Sequence, residues 1–108
     1  CSSAAITIED VYMDAGVNTT NRVIVRNSGQ SDSLQVVAAQ IYNTTGGNFS
    51  ARGLPITNFN RGNVTTLSFE QNYSTTVNAC PGDFSKVIIS TNCGGVSAEF
   101  TGTPKCFG

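Results

Sequence analysis

Apolar and polar residues alternate along most of the chain, and this pattern predicts β-strands. Between residues 22 and 26, Val23 and Val25 point to one side of a strand and their neighbours point to the other. Good helix formers are scarce, since the chain holds only two Lys, three Glu and three Leu. The alternation predicts seven strand segments: 5–13, 22–26, 34–42, 56–59, 64–77 (as two runs), 84–91 and 96–101.

Interruptions of the alternation predict where strands bulge and turn. The apolar side switches at Glu9-Asp10, which predicts a β-bulge there, and it changes again near Val36-Val37. Asn27-Ser28-Gly29 and Asn92-Cys93-Gly94-Gly95 predict turns, the second of them in a hairpin. We therefore expect an all-β protein: one disulfide-bonded, immunoglobulin-like antiparallel β-sandwich of about seven strands, spanning residues 1–108 as a single domain.

Composition narrows the classes of function. Six Lys or Arg and seven Asp or Glu among 108 residues give a formal net charge of −1, whereas nucleic-acid-binding domains carry clustered basic charge. The chain has no His, which removes Ser-His-Asp and Cys-His catalysis. No apolar run is long enough to span a membrane. We expect no enzyme activity, no catalytic residue, no bound metal, no cofactor and no nucleic-acid partner.

Four cysteines indicate an oxidising, extracellular compartment. Cys1, Cys80, Cys93 and Cys106 lack the C-x2-C spacing of zinc sites, so we expect two disulfides. In a hairpin that turns near Cys93, antiparallel partners have residue numbers that sum to about 187. That register places Cys80 opposite Cys106, and a first strand parallel to the last places Cys1 beside Cys93. We predict these two bridges; the rival pairing joins Cys80 to Cys93 and Cys1 to Cys106.

Asparagine sequons also favour secretion. Five Asn-x-Ser/Thr sites are candidate acceptors of N-linked glycans, although a surface rich in Asn and Thr would produce some of them by composition alone. Their asparagines are Asn18, Asn43, Asn48, Asn63 and Asn72. The chain opens at Cys1-Ser2-Ser3 without a signal peptide, which we interpret as the start of a mature protein or of the soluble part of a longer one.

Acidic side chains offer two candidate sites, each with a plainer alternative. Glu9, Asp10 and Asp14 with Asn18 form a local cluster that either ligates calcium or lines a solvated turn. A more scattered set of acids either forms the carboxylate pair of a glycosidase or is ordinary surface charge. That set is Asp32, Glu70, Asp83 and Glu99. We favour the plainer interpretation of both.

Aromatic and basic residues form two further candidate sites. Six aromatic side chains either form a platform that stacks on carbohydrate or divide between the core and its rim, and we favour the core. They are Tyr12, Tyr42, Tyr73, Phe49, Phe59 and Phe69. Arg22 and Arg26 lie on one face of their strand, and we interpret them as charges that protect an edge strand from unwanted pairing.

Three segments resemble the globular domain of archaeal type IV pilins and archaellins. They are 5–12 (AITIEDVY), 22–29 (RVIVRNSG, with a V-R-N-x-G turn) and the closing hairpin 86–100. The resemblance implies an extracellular structural subunit of a cell-surface filament, with other copies of itself and N-linked glycans as partners. The family's N-terminal hydrophobic helix is absent from this sequence. Either that helix lies outside this sequence, or the subunit assembles differently; some similar archaeal filaments lack the helix and assemble by donating an N-terminal strand, for which 4–11 is the natural segment here.

Two other classes of function stay open. Cys1-Ser2 is similar to the start of a lipidated surface protein, which favours a secreted or lipid-anchored monomer that binds carbohydrate or protein. A small secreted hydrolase is the third class, and the absent His and the sparse carboxylates oppose it.

Overall fold

Nine β-strands and no helix make up the described part of the chain. The computed structural model describes residues 3–14, 19–44, 48–71 and 84–107. The strands are β1 (Ile6–Asp14), β2 (Thr19–Asn27), β3 (Leu34–Asn43), β4 (Asn48–Ser50), β5 (Ile56–Phe59), β6 (Val64–Gln71), β7 (Phe84–Thr91), β8 (Ser97–Phe100) and β9 (Lys105–Phe107). The all-β expectation is confirmed. The count exceeds seven because β4 and β9 have three residues each, too few for alternation to show. The predicted second run of 64–77 lies largely outside the described residues.

The strands form two sheets that pack as a β-sandwich. Sheet A has the order β6-β2-β1-β9, and sheet B has the order β4-β3-β7-β8, with β5 also paired to β3. Neighbours are antiparallel except β1 and β9, which run parallel. No helix in the described ranges is long and apolar enough to cross a membrane.

The predicted bulge in β1 is present, and β3 also has a register shift at its change of parity. In β1 the register to β2 shifts between Ile8 and Asp10, and in β3 the register to β7 shifts between Val36 and Ala38. Each bulge moves the apolar residues that follow it back onto the inner face, so the core continues past the break. The core is made of Ile6, Val11, Met13, Val23, Val25, Leu34, Val36, Ala39, Ile41, Phe59, Leu67, Phe69, Phe84, Val87, Ile89 and Cys93.

The closing hairpin has the predicted register, but it is shorter than the disulfide argument required. Val87 pairs with Phe100 and Ile88 with Glu99. After Phe100 the chain leaves sheet B, and β9 pairs with the end of β1 in sheet A. The parallel partner of β1 is therefore β9, a strand that was not predicted, and not the strand 96–101 on which the disulfide argument depended; the hairpin register does not extend to Cys106.

Two of the four cysteines lie among the described residues. Cys93 is buried at the turn between β7 and β8, and Cys106 is exposed on β9. Both are disulfide-bonded, and no cysteine in the described ranges is free. Cys1 and Cys80 lie outside those ranges, so the connectivity stays a prediction.

The turn after β2 fixes the N-terminal segment. Asn27 is 1% exposed; its Nδ2 donates to the carbonyls of Ser31 (2.9 Å) and Phe59 (2.8 Å), and its Oδ1 accepts from the amide of Gly29 (3.2 Å). Gly29 N in turn donates to Ala5 O at 3.2 Å. A Cβ on residue 29 would lie 2.4 Å from the carbonyl oxygen of Ser3, so only glycine fits this approach.

The edge-strand interpretation of Arg22 and Arg26 is wrong. Their strand, β2, lies between β6 and β1 in the interior of sheet A. Both side chains are exposed because they occupy the outer, solvent-facing side of the sheet. A row of charges along one side of a strand identifies the solvent-exposed face of the sheet. It does not show whether the strand lies at the edge or in the interior of that sheet.

Candidate functional site

The acids of β1 are engaged with cations rather than with one another. Glu9 Oε1 lies 2.7 Å from Nε of Arg26, and Asp10 Oδ1 lies 2.8 Å from Nζ of Lys105. Asn18 lies outside the described residues, as does the side chain of Asp14. In the described part of the chain, no three His, Cys, Asp or Glu side chains converge as metal ligands would. The plainer interpretation, a solvated turn after the bulged strand, concerns 15–18, which lie outside the described residues, and it stays a prediction.

The scattered acids do not form a described pair. Asp32 accepts a hydrogen bond from the amide of Arg61 at 3.1 Å and lies 3.8 Å from its Nε, and both side chains are largely exposed. Glu99 lies on β8, opposite Ile88. Asp83 and the side chain of Glu70 lie outside the described residues.

The aromatic residues separate into core and surface. Phe59 and Phe69 are buried in the sandwich. Phe49, Tyr12 and Tyr42 are half-buried. Tyr73 lies outside the described residues. The described residues therefore divide between the core and its rim, as expected, and the two described tyrosines lie on the outer faces of opposite sheets.

A groove of about 390 Å³ lies on the outer face of sheet A. The described residues that line it are Tyr12, Arg22, Ile24 and Thr66. The strand register brings them together, because Tyr12 pairs with Arg22 across β1 and β2, and Ile24 pairs with Thr66 across β2 and β6. Directly opposed residues of an antiparallel pair share a face, so four separate side chains form one concavity. We call these four residues the sheet A groove.

Lys105 borders the groove from β9. Its Nζ lies 5.4 Å from the centre of the Tyr12 ring, in cation–π range. The hydrogen bond and charge of Asp10, with a smaller effect of Tyr12, raise the pKa of Lys105 above its usual 10.5. Because the folded pKa is the higher one, the pair stabilises the fold below about pH 10.5 and this contribution is lost as pH rises through the folded value.

A similar pair lies on the outer face of sheet B. Lys86 Nζ lies 5.3 Å from the ring centre of Tyr42, its register partner. The Tyr42 hydroxyl donates to Oε1 of Gln40 at 2.7 Å. On its other side Tyr42 is opposite Asn48, one of the five sequon asparagines.

The described sequon asparagines lie at the ends of strands. Asn48 begins β4 and is exposed, and Asn63 precedes β6 and is also exposed. Asn43 ends β3 and is half-buried. Asn18 and Asn72 lie outside the described residues. Two of these positions have room for a glycan facing water, and occupancy of all five stays a prediction.

Sequence patterns missed the roles of Ile24, Thr66 and Lys105. Tyr12 and Lys105 are neighbours only because β1 and β9 pair in parallel, and the three residues of β9 give no strand signal. Comparison of the chain with protein-family models, with curated proteins and with solved structures finds no match. The candidate site therefore rests on geometry alone.

Proposed function

We propose that the protein is a non-enzymatic, extracellular structural subunit of a cell-surface filament of the archaeal pilin and archaellin type. In this proposal its immunoglobulin-like, disulfide-bonded sandwich binds other copies of the chain and carries N-linked glycans. Disulfide bonds at Cys93 and Cys106 and exposed sequon asparagines at Asn48 and Asn63 support the location outside the cell. The segments that resemble pilins support the class.

The observation that carries the proposal is the outer edge of β6. Among the strands in the described ranges, this one ends the order of sheet A and pairs only with β2. Arg52 N donates to Ser68 O at 2.9 Å, so the chain after β4 covers the second half of the edge, and no described segment covers Val64–Leu67. The uncovered stretch, VTTL, has no charge, proline or bulge, and the Val64 side chain is 57% exposed.

The other sheet edges in the described ranges are less suited to pairing with a strand of another chain. β4 and β9 have three residues each, and β8 has four, one of which is Glu99. The edge of β1 that faces β9 is paired with it only from Tyr12 onward. The part of this edge before Tyr12 contains the bulge and the acids Glu9 and Asp10. Short strands, bulges and charges all discourage pairing with another chain. The edge of β6 is therefore where a strand of a neighbouring copy adds.

The segment 4–11 is a poor donor. Its residues pair with β2, and Ile6 and Val11 belong to the core, so donating it would expose the core of its own subunit. We propose instead that this segment stays in place and that a different segment of the neighbouring copy adds to β6. Pairing of two β6 edges around a two-fold axis would close a dimer, whereas pairing with a different segment continues into a filament.

A monomeric surface module that binds carbohydrate or protein is the second candidate. The sheet A groove is the observation that favours it. The two candidates differ in one measurable property, because a subunit associates with its own copies and a monomeric module does not.

Sedimentation velocity on the purified chain and two variants tests the proposal. Val64→Lys places a charge on the outer edge of β6, and we expect it to shift the concentration-dependent larger species of the wild type back to monomer. Val37→Lys is the matched control, because Val37 is also exposed (43%) but lies at the bulge of β3, inside sheet B. A wild type that is monomeric at every concentration, or variants that behave alike, would contradict the proposal.

A further inference from the structure

We propose that Cys93 is bonded to Cys1, and that this bridge makes the chain nearly inextensible between Cys1 and Cys106. Cys93 and Cys106 are both disulfide-bonded, and four cysteines allow three pairings. Cys1 and Cys80 lie outside the described residues, but the reach of the chain limits where Cys1 can bond. The bonds Cys1–Cys106 and Cys93–Cys106 would each have to cross most of the length of β1. Without them, only Cys1–Cys93 with Cys80–Cys106 remains.

Cys1 cannot reach Cys106. Cys106 is the register partner of Met13, near the end of β1. Ser3 lies before the start of the same strand, where the turn after β2 contacts it. Ile6 and Met13 are about 20 Å apart along the strand, and Cys1, two residues before Ser3, extends at most about 7 Å back from it. The gap that remains, about 13 Å, exceeds the span of about 4.4–6.8 Å between the Cα atoms of a disulfide.

Cys93 lies at the end of the sandwich where β1 begins. Phe59 joins the two sheets at this end, because it pairs with Leu34 at the start of β3 and its carbonyl accepts from the side chain of Asn27. Asn27 is opposite the first residue of β1. The turn that holds Cys93 lies beside the start of β3, since the amide before Cys93 donates to the carbonyl after Leu34 at 3.0 Å. Cys93 and Cys106 therefore lie at different ends of β1 and are not bonded to each other.

This pairing limits how far a pulling force can separate Cys1 from Cys106. The bridge leads from Cys1 to Cys93, and the 13 residues from there to Cys106 complete a covalent route. Fully extended, this route spans about 43–47 Å of chain, and the longest dimension of the folded molecule is already 44 Å. The same chain without disulfides could be drawn out to about 350–380 Å. The bridge between Cys80 and Cys106 adds a second route, through the 13 residues between Cys80 and Cys93.

A subunit of this kind would carry tension along a filament through covalent bonds, without lengthening when its sheets separate. That consequence rests on the proposed function. The pairing and the limit on extension belong to a single chain, so they can be tested on the monomer and can hold even if no filament forms.

Tryptic mapping of the unreduced wild-type protein tests the pairing, because cleavage after Arg and Lys places each cysteine on its own peptide. We expect peptide 1–22 joined to 87–105, and 62–86 joined to 106–108. A link between 1–22 and either of the other two cysteine peptides would overturn the proposal.

Single-molecule force spectroscopy, with handles added at both ends of the chain, tests the limit on extension. We expect the oxidised wild type to lengthen by less than about 50 Å, and by more than about 300 Å after reduction with a phosphine. The oxidised double variant Cys80→Ser with Cys106→Ser should keep the short extension.

Its matched control is Cys1→Ser with Cys93→Ser, which keeps only the other bridge and should lengthen by more than about 200 Å while oxidised. The limit is set by covalent bonds, so it holds for a bonded chain whether or not the sheets stay folded. Equal extension of the two oxidised variants, or a long extension of the oxidised wild type, would overturn the proposal.

Discussion

Two turns of the molecule share the pattern Asn-x-Gly, yet different residues stabilise them. Asn27-Ser28-Gly29 follows β2 in sheet A, and Asn92-Cys93-Gly94 follows β7 in sheet B. In the first turn the asparagine is buried and bonded to three backbone groups. In the second the asparagine is exposed and accepts one hydrogen bond, from the amide of Gln35 at 3.0 Å.

The second turn is organised by the residue before its asparagine. The Thr91 hydroxyl donates to Val96 O at 2.7 Å and accepts from Cys93 N at 3.2 Å. The two glycines differ as well: a Cβ at Gly29 would collide with the N-terminal segment, while one at Gly94 would meet nothing within 4 Å. The same sequence signal thus predicts a turn in both places, but what packs against the turn decides which residue is indispensable.

Removing the first asparagine should have the largest effect. Asn27→Ala deletes three hydrogen bonds and leaves two carbonyls without their donor, so we expect the free energy of unfolding to fall by about 3 kcal/mol. Asn92→Ala, its counterpart in the second turn, should cost less than about 1 kcal/mol. Urea denaturation of both variants measures the difference. Equal losses would show that the comparison of the two turns is wrong.

Adding a methyl group at each glycine should have the next largest effect. Gly29→Ala forces Cβ against the backbone of Ser3 and Ala5, and we expect a loss of about 2 kcal/mol together with amide shifts in residues 3–5. Gly94→Ala should change stability by less than about 0.5 kcal/mol. Urea denaturation measures both variants. A Gly29→Ala variant as stable as the wild type would contradict the close approach of residue 29 to the backbone of Ser3 and Ala5.

Removing one hydroxyl group from each turn should have the smallest of the three effects on stability. Thr91→Val keeps the shape of a buried side chain and removes its hydrogen bonds, so we expect a loss of about 1.5 kcal/mol. Ser28→Ala removes an exposed hydrogen bond to Thr7 and should cost about 0.5 kcal/mol or less. If Ser28→Ala proves the more destabilising in thermal unfolding, the roles assigned to the two turns must be exchanged.

Local patterns predicted much of the fold. The parity change at Glu9 predicted the bulge of β1, the parity change near Val37 coincides with the register shift of β3, and the turn near Cys93 gave the register of β7 and β8. These features depend on residues close in sequence, where alternation and turn chemistry act directly. The interior position of β2 and the pairing of β9 with β1 depend on distant segments, so no local pattern could predict them.

The candidate site was harder to predict for the same reason. The sequence places Tyr12 only in a set of six aromatics divided between the core and its rim, assigns Arg22 to an edge strand, and gives Lys105 no role. Their proximity follows from the order of strands in sheet A and from the short parallel pairing at Tyr12. A polar or charged residue in a strand shows that one face is wet, and only the pairing of strands shows which residues share that face.

Electron microscopy of material isolated from the native cell surface tests the central claim most directly. The account predicts filaments in which this chain is the repeating subunit, with density that continues the sheet beyond Val64–Leu67 of β6 into the neighbouring copy. Native material in which the chain occurs only as separate single domains on the surface would contradict it.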